Sequence, residues 1–262
     1  PKSSRSSEFP MRENKRQEVW HPMEKIDASA LDYRSLNEAL REAGDCCRVT
    51  GCLGQRFIAA GMGGGKIVLD GIPGNALGAY LNGAEIEVNG NAQDAVGDTM
   101  NAGRIVVRGS IGDTAGYAMR GGEIYVRGNA GYRAGIHMKA YQDKQPVMVI
   151  GGRAGSFLGE YQAGGLIIVL GLHEDGKPIV GNFPCTGMHG GRMFLRTAPG
   201  TISFPRQVTA SPASQEDLEE IRPYLARYCE LFGCGLAKLL DAEFTVVTPD
   251  SKNPYKQMYV QN

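Results

Sequence analysis

The chain has 262 residues, of which 42% are apolar and 21% charged, a composition that suits a folded globular protein and excludes an intrinsically disordered one. Its 28 basic and 28 acidic residues balance, so no overall electrostatic attraction favours nucleic acid as a partner. The longest apolar run, Leu166 to Leu170, is far shorter than a membrane span, and the N-terminal residues lack the apolar core of a signal peptide. We therefore expect a cytoplasmic protein with neither a membrane nor a nucleic-acid partner.

The first fifty residues divide into a tail and a cap. Residues 1–20 are polar, basic and aperiodic, and we expect a disordered tail, in which the residues before Met11 have the character of a cloning scar. Residues 21–50 are expected to form an N-terminal cap. In this stretch Ser35 and Glu38 have the spacing of a capping box, and Gly44 would close the short helix that follows.

Residues 51–200 contain a repeat of short apolar triplets. Ile67, Ile86, Ile105 and Ile124 open the first four triplets at a constant spacing of 19 residues. Three more triplets begin at Val147, Ile167 and Met193, so the pattern predicts seven coils.

Glycines recur in phase with these triplets. Gly makes up 37 of the 262 residues, about twice the ordinary frequency of roughly 7%. Four coils carry the complete pattern GxxGxxxG, and the second coil keeps only its outer two glycines. The members are Gly71, Gly74, Gly78, Gly90, Gly97, Gly109, Gly112, Gly116, Gly128, Gly131, Gly135, Gly152, Gly155 and Gly159. We interpret them as structural glycines.

A repeat near 20 residues predicts a solenoid. A leucine-rich repeat would need leucines at fixed offsets, and a helical repeat would need about 33 residues or more per unit. Short strands between glycine corners therefore indicate an all-β, single-stranded, right-handed parallel β-helix of about seven coils, with short helical caps at its two ends.

Alternation within each triplet predicts which residues point outward. The middle positions form an outward row that is apolar except for Glu87, and it consists of Val68, Glu87, Val106, Tyr125, Met148, Ile168 and Phe194. An apolar row of this kind predicts a cover, either the C-terminal segment of the chain or another protein. Val106, Tyr125, Met148, Ile168 and Phe194 are accordingly the candidate interface residues.

Residues 201–262 are expected to form a C-terminal helix and an extended segment that pack on the β-helix. Ser214 has the character of a helix N-cap, apolar residues follow at helical spacing, and Gly233 ends the pattern. Pro223 lies inside this stretch and predicts a kink or a break.

The residues themselves indicate no chemistry. The glycine-rich run before Lys66 lacks the spacing of a phosphate-binding loop, and His137, His173, His189 and Cys185 lack the spacing of metal ligands. Cys46, Cys47 and Cys52 do not match an iron–sulfur pattern, and the six cysteines are expected to be free thiols. We therefore assign this chain no catalytic, cofactor-binding or metal-binding residue.

From Ile26 through the coils to Phe244-Thr245-Val246-Val247-Thr248-Pro249, the chain resembles the GXGXG domain that ends the large (alpha) subunit of glutamate synthase. Arg104-Ile105-Val106-Val107-Arg108 and Met188-His189-Gly190-Gly191 look especially like sequences of that family. The resemblance implies a non-catalytic domain that holds a glutaminase and a flavin-containing synthase together.

We expect the domain to stand alone in this protein, in which case the resemblance implies separate partner subunits. These would be a glutaminase (class II amidotransferase) subunit and a synthase subunit carrying FMN and an iron–sulfur cluster; the chain itself would bind no cofactor. A homo-oligomer of this chain is compatible with the same interpretation. The chain is also similar to the subunits of formylmethanofuran dehydrogenases and of N-methylglutamate synthases that are built from this module, and a free-standing scaffold is a third alternative.

Overall fold

The computed structural model describes residues 23–173 and 176–250, so the expected tail at 1–20 lies outside the described residues. One continuous sheet of eleven strands, ordered β1 to β9 and then β11 and β10, organises the chain. The strands are β1 (Glu24–Asp27), β2 (Cys46–Leu53), β3 (Lys66–Ile72), β4 (Asn82–Val88), β5 (Ala102–Val107), β6 (Glu123–Val126), β7 (Val147–Ile150), β8 (Ala163–Val169), β9 (Gly190–Leu195), β10 (Val208–Pro212) and β11 (Thr245–Pro249). Three helices complete the fold: α1 (Tyr33–Glu42), α2 (Gln215–Phe232) and α3 (Leu236–Leu240).

Strands β1 to β9 pair in parallel, each with the strand of the next coil, which confirms the predicted parallel β-helix. The seven predicted triplets lie in β3 to β9. The structure adds β1 and β2 in front of them, where the GxxGxxxG pattern is absent. Backbone pairing and buried side chains such as Ile26 and Val49 extend the solenoid there, so a search for glycine triplets does not detect these two strands.

The interior of the solenoid is filled by residues that stack from coil to coil. In one such row Ile67, Ile86, Ile105 and Ile124 are at most 1% exposed, and each pairs with its counterpart in the neighbouring strand. The row continues through Met148, Ile167 and Met193. Stacked apolar side chains in a dry interior hold the coils together.

The glycines solve two steric problems. Gly78 has φ +65°, and a Cβ there would lie 2.7 Å from Cδ1 of Ile105 in the interior. Gly128 has an ordinary φ, but a Cβ there would lie 2.8 Å from the carbonyl oxygen of Gly109 in the previous coil. Glycine therefore permits a left-handed corner at the first position and close stacking of backbones at the second.

Helix α1 covers the N-terminal end of the solenoid, but its cap differs from the expected one. The N-cap is Asp32, whose Oδ1 accepts hydrogen bonds from the backbone N–H groups of Arg34 (3.1 Å) and Ser35 (2.8 Å). The predicted capping box of Ser35 and Glu38 is therefore wrong, because Ser35 already lies in the first turn of the helix. Asn37 ties the helix to the coils, since its side-chain oxygen accepts a 2.9 Å hydrogen bond from the N–H of Ala59.

At the other end, strands rather than a helix cover the last coil. Strand β11 pairs antiparallel with β9, and β10 pairs antiparallel with β11. Helix α2 lies along the outer face of the sheet instead. It begins at a Ser214 capping box, ends at Gly233 in the left-handed conformation, and continues through Pro223, so the helix is not broken there.

Candidate docking surfaces of the solenoid

Helix α2 covers the outward row over the C-terminal half of the sheet. Tyr125, Ile168 and Phe194 have no exposed surface, and they share one apolar cluster with Ile221 and Leu225 of the helix. The chain's own C-terminal segment is thus the cover, which is the first of the two alternatives raised by the sequence. These three candidate interface residues do not form an accessible surface in this chain.

Met148 is not part of the outward row, and this prediction is wrong. In the ladder Met148 pairs with Ile124 and Val149 pairs with Tyr125, so Val149 points outward and Met148 points into the interior. The insertion between β6 and β7 shifts the strand by one residue relative to the predicted triplet. Because side chains alternate along a strand, a shift of one residue exchanges the two faces.

Polar contacts fix α2 on the sheet. Arg192 of β9 forms ion pairs with Asp217 and Glu220 in the first turns of the helix. Near the opposite end of the helix, Arg108, which directly follows β5, pairs with Glu87 and donates a 3.1 Å hydrogen bond to the carbonyl oxygen of Leu231. The helix therefore runs across the strands from the last coil back toward the third.

The rest of the outward row lies at and beyond the C-terminal end of α2. Val68 is 7% exposed and Val106 is 6% exposed, so these valines are also buried. A small cleft of about 200 Å³ beside Val106 is lined by Glu85, Arg104 and Leu231, and Arg104 forms an ion pair with Glu85. This part of the sheet is therefore flanked by charged side chains and does not expose an apolar surface.

Most of the cysteines named in the sequence are buried within the fold. All six cysteines are free thiols, as expected, and burial raises the pKa of Cys47 and of Cys52 to about 11. Cys185 is buried in the interior, 3.6 Å from the sulfur of Met193. Within residues 23–173 and 176–250 no group of three or more potential His, Cys, Asp or Glu ligands could hold a metal ion.

His137 and His189 have ordinary structural contacts. The ring of His137 stacks on Tyr161 with centroids 5.1 Å apart, and Tyr117 meets the same ring edge-on at 5.9 Å. The Nδ1 atom of His189 lies 3.0 Å from the carbonyl oxygen of Gly187. His137 therefore belongs to a turn of the coils, and His189 lies between the last of these turns and β9.

The surface that the sequence did not reveal is a wall of tight turns, which we call the turn wall. It consists of residues 56–61, 75–80, 94–99, 113–118, 132–137, 156–161 and 182–187. In every one of these segments the second, fourth and sixth residues have positive φ, as in Ala76, Gly78 and Tyr80. The central one points inward and is usually glycine, while the two flanking residues point outward.

Hydrogen bonds between coils define the columns of this wall. The N–H of Tyr80 donates to the carbonyl oxygen of Asp98 at 2.8 Å, and the N–H of Thr99 donates to that of Tyr117 at 2.7 Å. The N–H of the central Gly78 donates in the opposite direction, to Ile58 of the previous coil, at 2.8 Å. Each backbone is thereby tied to both neighbouring coils, so outward side chains at equivalent positions stack in fixed columns.

The turn wall exposes aromatic side chains. Five of the large apolar side chains that are exposed in the described residues lie on it, and these are Phe57, Tyr80, Tyr117, Tyr132 and Phe183. A clue was present in the sequence, because Tyr80, His137, Phe157 and Tyr161 each lie two positions from the third glycine of the motif, although Tyr80 alone among them is one of the five exposed residues. It becomes recognisable only when the left-handed turns are seen to direct those positions outward.

The C-terminal end of the turn wall opens into a groove of about 390 Å³. Phe183 and Pro184 line one side, and Ile202, Phe204 and Pro205 line the other. Phe157 packs against Phe183 at a centroid distance of 5.4 Å, and the guanidinium of Arg133 lies over the Phe157 ring. The groove therefore continues the aromatic surface to the last coil.

Among the described residues, none of the helices combines the length and apolar character needed to cross a bilayer.

Comparisons with known proteins identify a family and a relative with a similar sequence. Residues 34–251 match the family model described as GXGXG motif. Over 248 residues the chain is 44% identical to an uncharacterized protein of Methanocaldococcus jannaschii, with 89% of this chain and 95% of that protein covered.

A solved structure shares the fold. It is a chain of the formyltransferase/hydrolase complex from Methylorubrum extorquens, crystallised with methylofuran, with a TM-score of 0.58 and 19% identity. The likeness covers 87% of this chain and 91% of that one, and at this identity it shows the fold alone. Because the family model spans α1, the coils and β11, the chain belongs to the GXGXG motif family.

Proposed function

We propose that this chain is a non-catalytic structural subunit of a glutamate synthase complex, which converts glutamine and 2-oxoglutarate to glutamate. In this role it holds a glutaminase subunit, of the class II amidotransferase type, against a synthase subunit that carries FMN and an iron–sulfur cluster. The observation that carries the proposal is the GXGXG family match over residues 34–251, which includes the cap helix and the final strand as well as the coils.

Two further observations support a separate scaffold subunit. The match to the M. jannaschii protein covers 95% of that protein, so the module makes up nearly the whole of a related chain. The solenoid also keeps the C-terminal half of its apolar outer row beneath its own helix, so partners would contact the turn wall and the edges of the rod. Backbone hydrogen bonds tie each coil to the coils on both sides of it. A rod built in this way suits a spacer between catalytic subunits.

A second candidate is a structural component of a formylmethanofuran dehydrogenase, or the corresponding component of an N-methylglutamate synthase. The fold shared with a chain of the formyltransferase/hydrolase complex supports this second candidate, since that chain is a component of a multi-subunit assembly. A free-standing scaffold is the remaining alternative.

Affinity purification of the tagged chain from its source organism tests the proposal. Recovery of a glutaminase and a flavoprotein, with flavin and iron–sulfur absorbance in the complex, is the expected result. Recovery of molybdopterin or tungstopterin subunits would support the second candidate instead, and recovery of the chain alone would contradict both. The purified chain by itself should show no glutaminase activity and no flavin absorbance.

A further inference from the structure

Two of the free cysteines lie together at the C-terminal end of α2. Cys229 is in the last turn of the helix, and Cys234 directly follows Gly233, whose left-handed conformation ends the helix. The carbonyl oxygen of Cys229 accepts hydrogen bonds from the N–H groups of Gly233 at 2.8 Å and of Cys234 at 3.3 Å. The second bond is that of a Schellman turn, which folds the chain back so that the side chains at these two positions meet.

The two thiols are hydrogen-bonded to each other. Burial raises the pKa of the Cys229 thiol, and the hydrogen bond with the Cys234 thiol raises it further. Both side chains pack in the apolar cluster between α2 and the sheet, where Cys229 is 8% exposed and Cys234 is partly buried. The end of the helix is therefore closed by two thiols in contact, of which that of Cys234 is the more accessible to solvent.

Cys46 and Cys47 are closer in sequence but are arranged differently. They are adjacent residues of β2, and side chains of adjacent strand residues point to opposite faces of the sheet. Cys46 is accordingly only partly buried, whereas Cys47 is buried in the interior of the solenoid. These two cysteines provide an internal comparison for the pair at the end of α2.

We infer that Cys229 and Cys234 form a redox modification site, at which a small-molecule disulfide such as oxidised glutathione converts the two thiols to an intramolecular disulfide. The crosslink closes a ring of residues 229–234 across the Schellman turn. This ring contains Leu231, whose carbonyl oxygen accepts the 3.1 Å hydrogen bond from Arg108 that ties this end of α2 to the sheet. Oxidation therefore fixes the C-terminal end of the covering helix, and this role does not depend on the proposed scaffold function.

The reaction consists of two thiol–disulfide exchanges. The more accessible sulfur, that of Cys234, attacks oxidised glutathione as a thiolate, breaks its sulfur–sulfur bond and releases one glutathione. The thiolate of Cys229 then attacks the Cys234 sulfur of this mixed disulfide, and the second glutathione leaves. The two cysteine thiols are thereby oxidised, one glutathione disulfide is reduced, and the two cysteine protons pass through solvent to the departing glutathione thiolates.

Peptide mapping of the unmodified chain tests this inference. The reduced, folded chain is incubated with oxidised glutathione, and the remaining thiols are then blocked with iodoacetamide in urea before digestion with trypsin. Cleavage after Arg227 and Lys238 gives a peptide, 228–238, that contains Cys229 and Cys234 and no other cysteine. We expect this peptide to lose two hydrogens and to take up no iodoacetamide, and we expect dithiothreitol to reverse the change. Peptide 42–48, which contains the comparison pair, should form no internal disulfide.

Single variants separate the two exchange steps. In C229S the reaction stops after the first step, so glutathione should remain attached to Cys234. In C234S the remaining thiol is 8% exposed and should take up glutathione at least about tenfold more slowly. Attachment at equal rates in the two variants would contradict the order of attack assigned to the two sulfurs.

The crosslink should also stabilise the folded chain. Because it closes a short loop, oxidation should raise the melting temperature by about 2–6 °C relative to the reduced chain. The double variant C229S/C234S, treated with oxidised glutathione in the same way, is the matched control and should show no increase. The inference would be overturned if peptide 228–238 of the folded chain contained no disulfide, or if the disulfide formed only in urea.

Discussion

The hydroxyl of Tyr125 donates a 2.9 Å hydrogen bond to the carboxylate of Glu123, beneath helix α2. Arg227 of the helix reaches the same carboxylate at 3.0 Å, so a buried aromatic residue of the sheet and a cation of the helix share one acceptor. The only polar atom of the Tyr125 side chain is thereby satisfied, and its ring can remain buried among apolar neighbours. The outward row consequently stabilises the folded chain through its contact with α2.

A substitution of Leu225 tests this role of α2. Leu225 is fully buried between the helix and the sheet, so L225A should lower the free energy of unfolding by about 2–5 kcal/mol, from lost apolar burial and the cavity left behind. Urea unfolding followed by circular dichroism measures the change. Exposed Glu216 at the start of the helix gives the control, because E216A should leave the midpoint nearly unchanged. A similar midpoint for both variants would mean that α2 contributes little to stability.

A substitution of Gly78 tests whether the inward position of the turn wall requires a residue without a side chain. G78A should destabilise the chain by about 1–3 kcal/mol, because the new methyl group would meet Cδ1 of Ile105 and the residue would keep a positive φ. The substitution I105V removes that Cδ1 atom. A double-mutant cycle by urea unfolding should therefore show G78A to be less costly in the I105V background, and equal costs in both backgrounds would contradict the packing explanation.

The residues also explain which features could be predicted from the sequence. The coils were predictable because Gly78 and its equivalents are required by local geometry, and the helix around Leu225 was predictable from its apolar spacing and from Ser214. The position of Met148 was not, because the insertion before β7 shifts the strand by one residue. The turn wall could not be predicted in the same way. Its columns arise from hydrogen bonds between residues about 19 positions apart, such as Tyr80 and Asp98, and no short sequence pattern indicates such bonds.

Asp217 should make stability depend on pH. Burial alone raises the pKa of this carboxyl group, but hydrogen bonds from Arg192 and from Ser214 outweigh burial and hold the pKa below its usual value. A lowered pKa in the folded state adds stability above the ordinary carboxyl pKa of about 4, and this stability is lost as the pH falls through the folded value. D217N should therefore cost about 1–2 kcal/mol near neutral pH and progressively less toward pH 3.

Urea unfolding between about pH 3 and about pH 7 measures this dependence. E219Q is the control. The pair with Arg222 also lowers the pKa of Glu219, but it lies on the exposed side of α2, where solvent screens it, so the change should be much smaller than that of D217N. A difference between D217N and the unmodified chain that stays constant over this range would contradict the role assigned to Arg192.

Thiol labelling tests the burial of the cysteines. Burial raises the pKa of Cys47 and Cys52 to about 11 and that of Cys185 to about 12, so near pH 8 these thiols should remain protonated and unreactive in the folded chain. Cys46 and Cys234 are only partly buried and should react first with iodoacetamide. Mass spectrometry of peptides from the native chain and from the chain in urea resolves the sites, and all six cysteines should be labelled in urea. Rapid native labelling of Cys185 would show that the last coil opens, because this thiol lies inside the solenoid with no exposed surface.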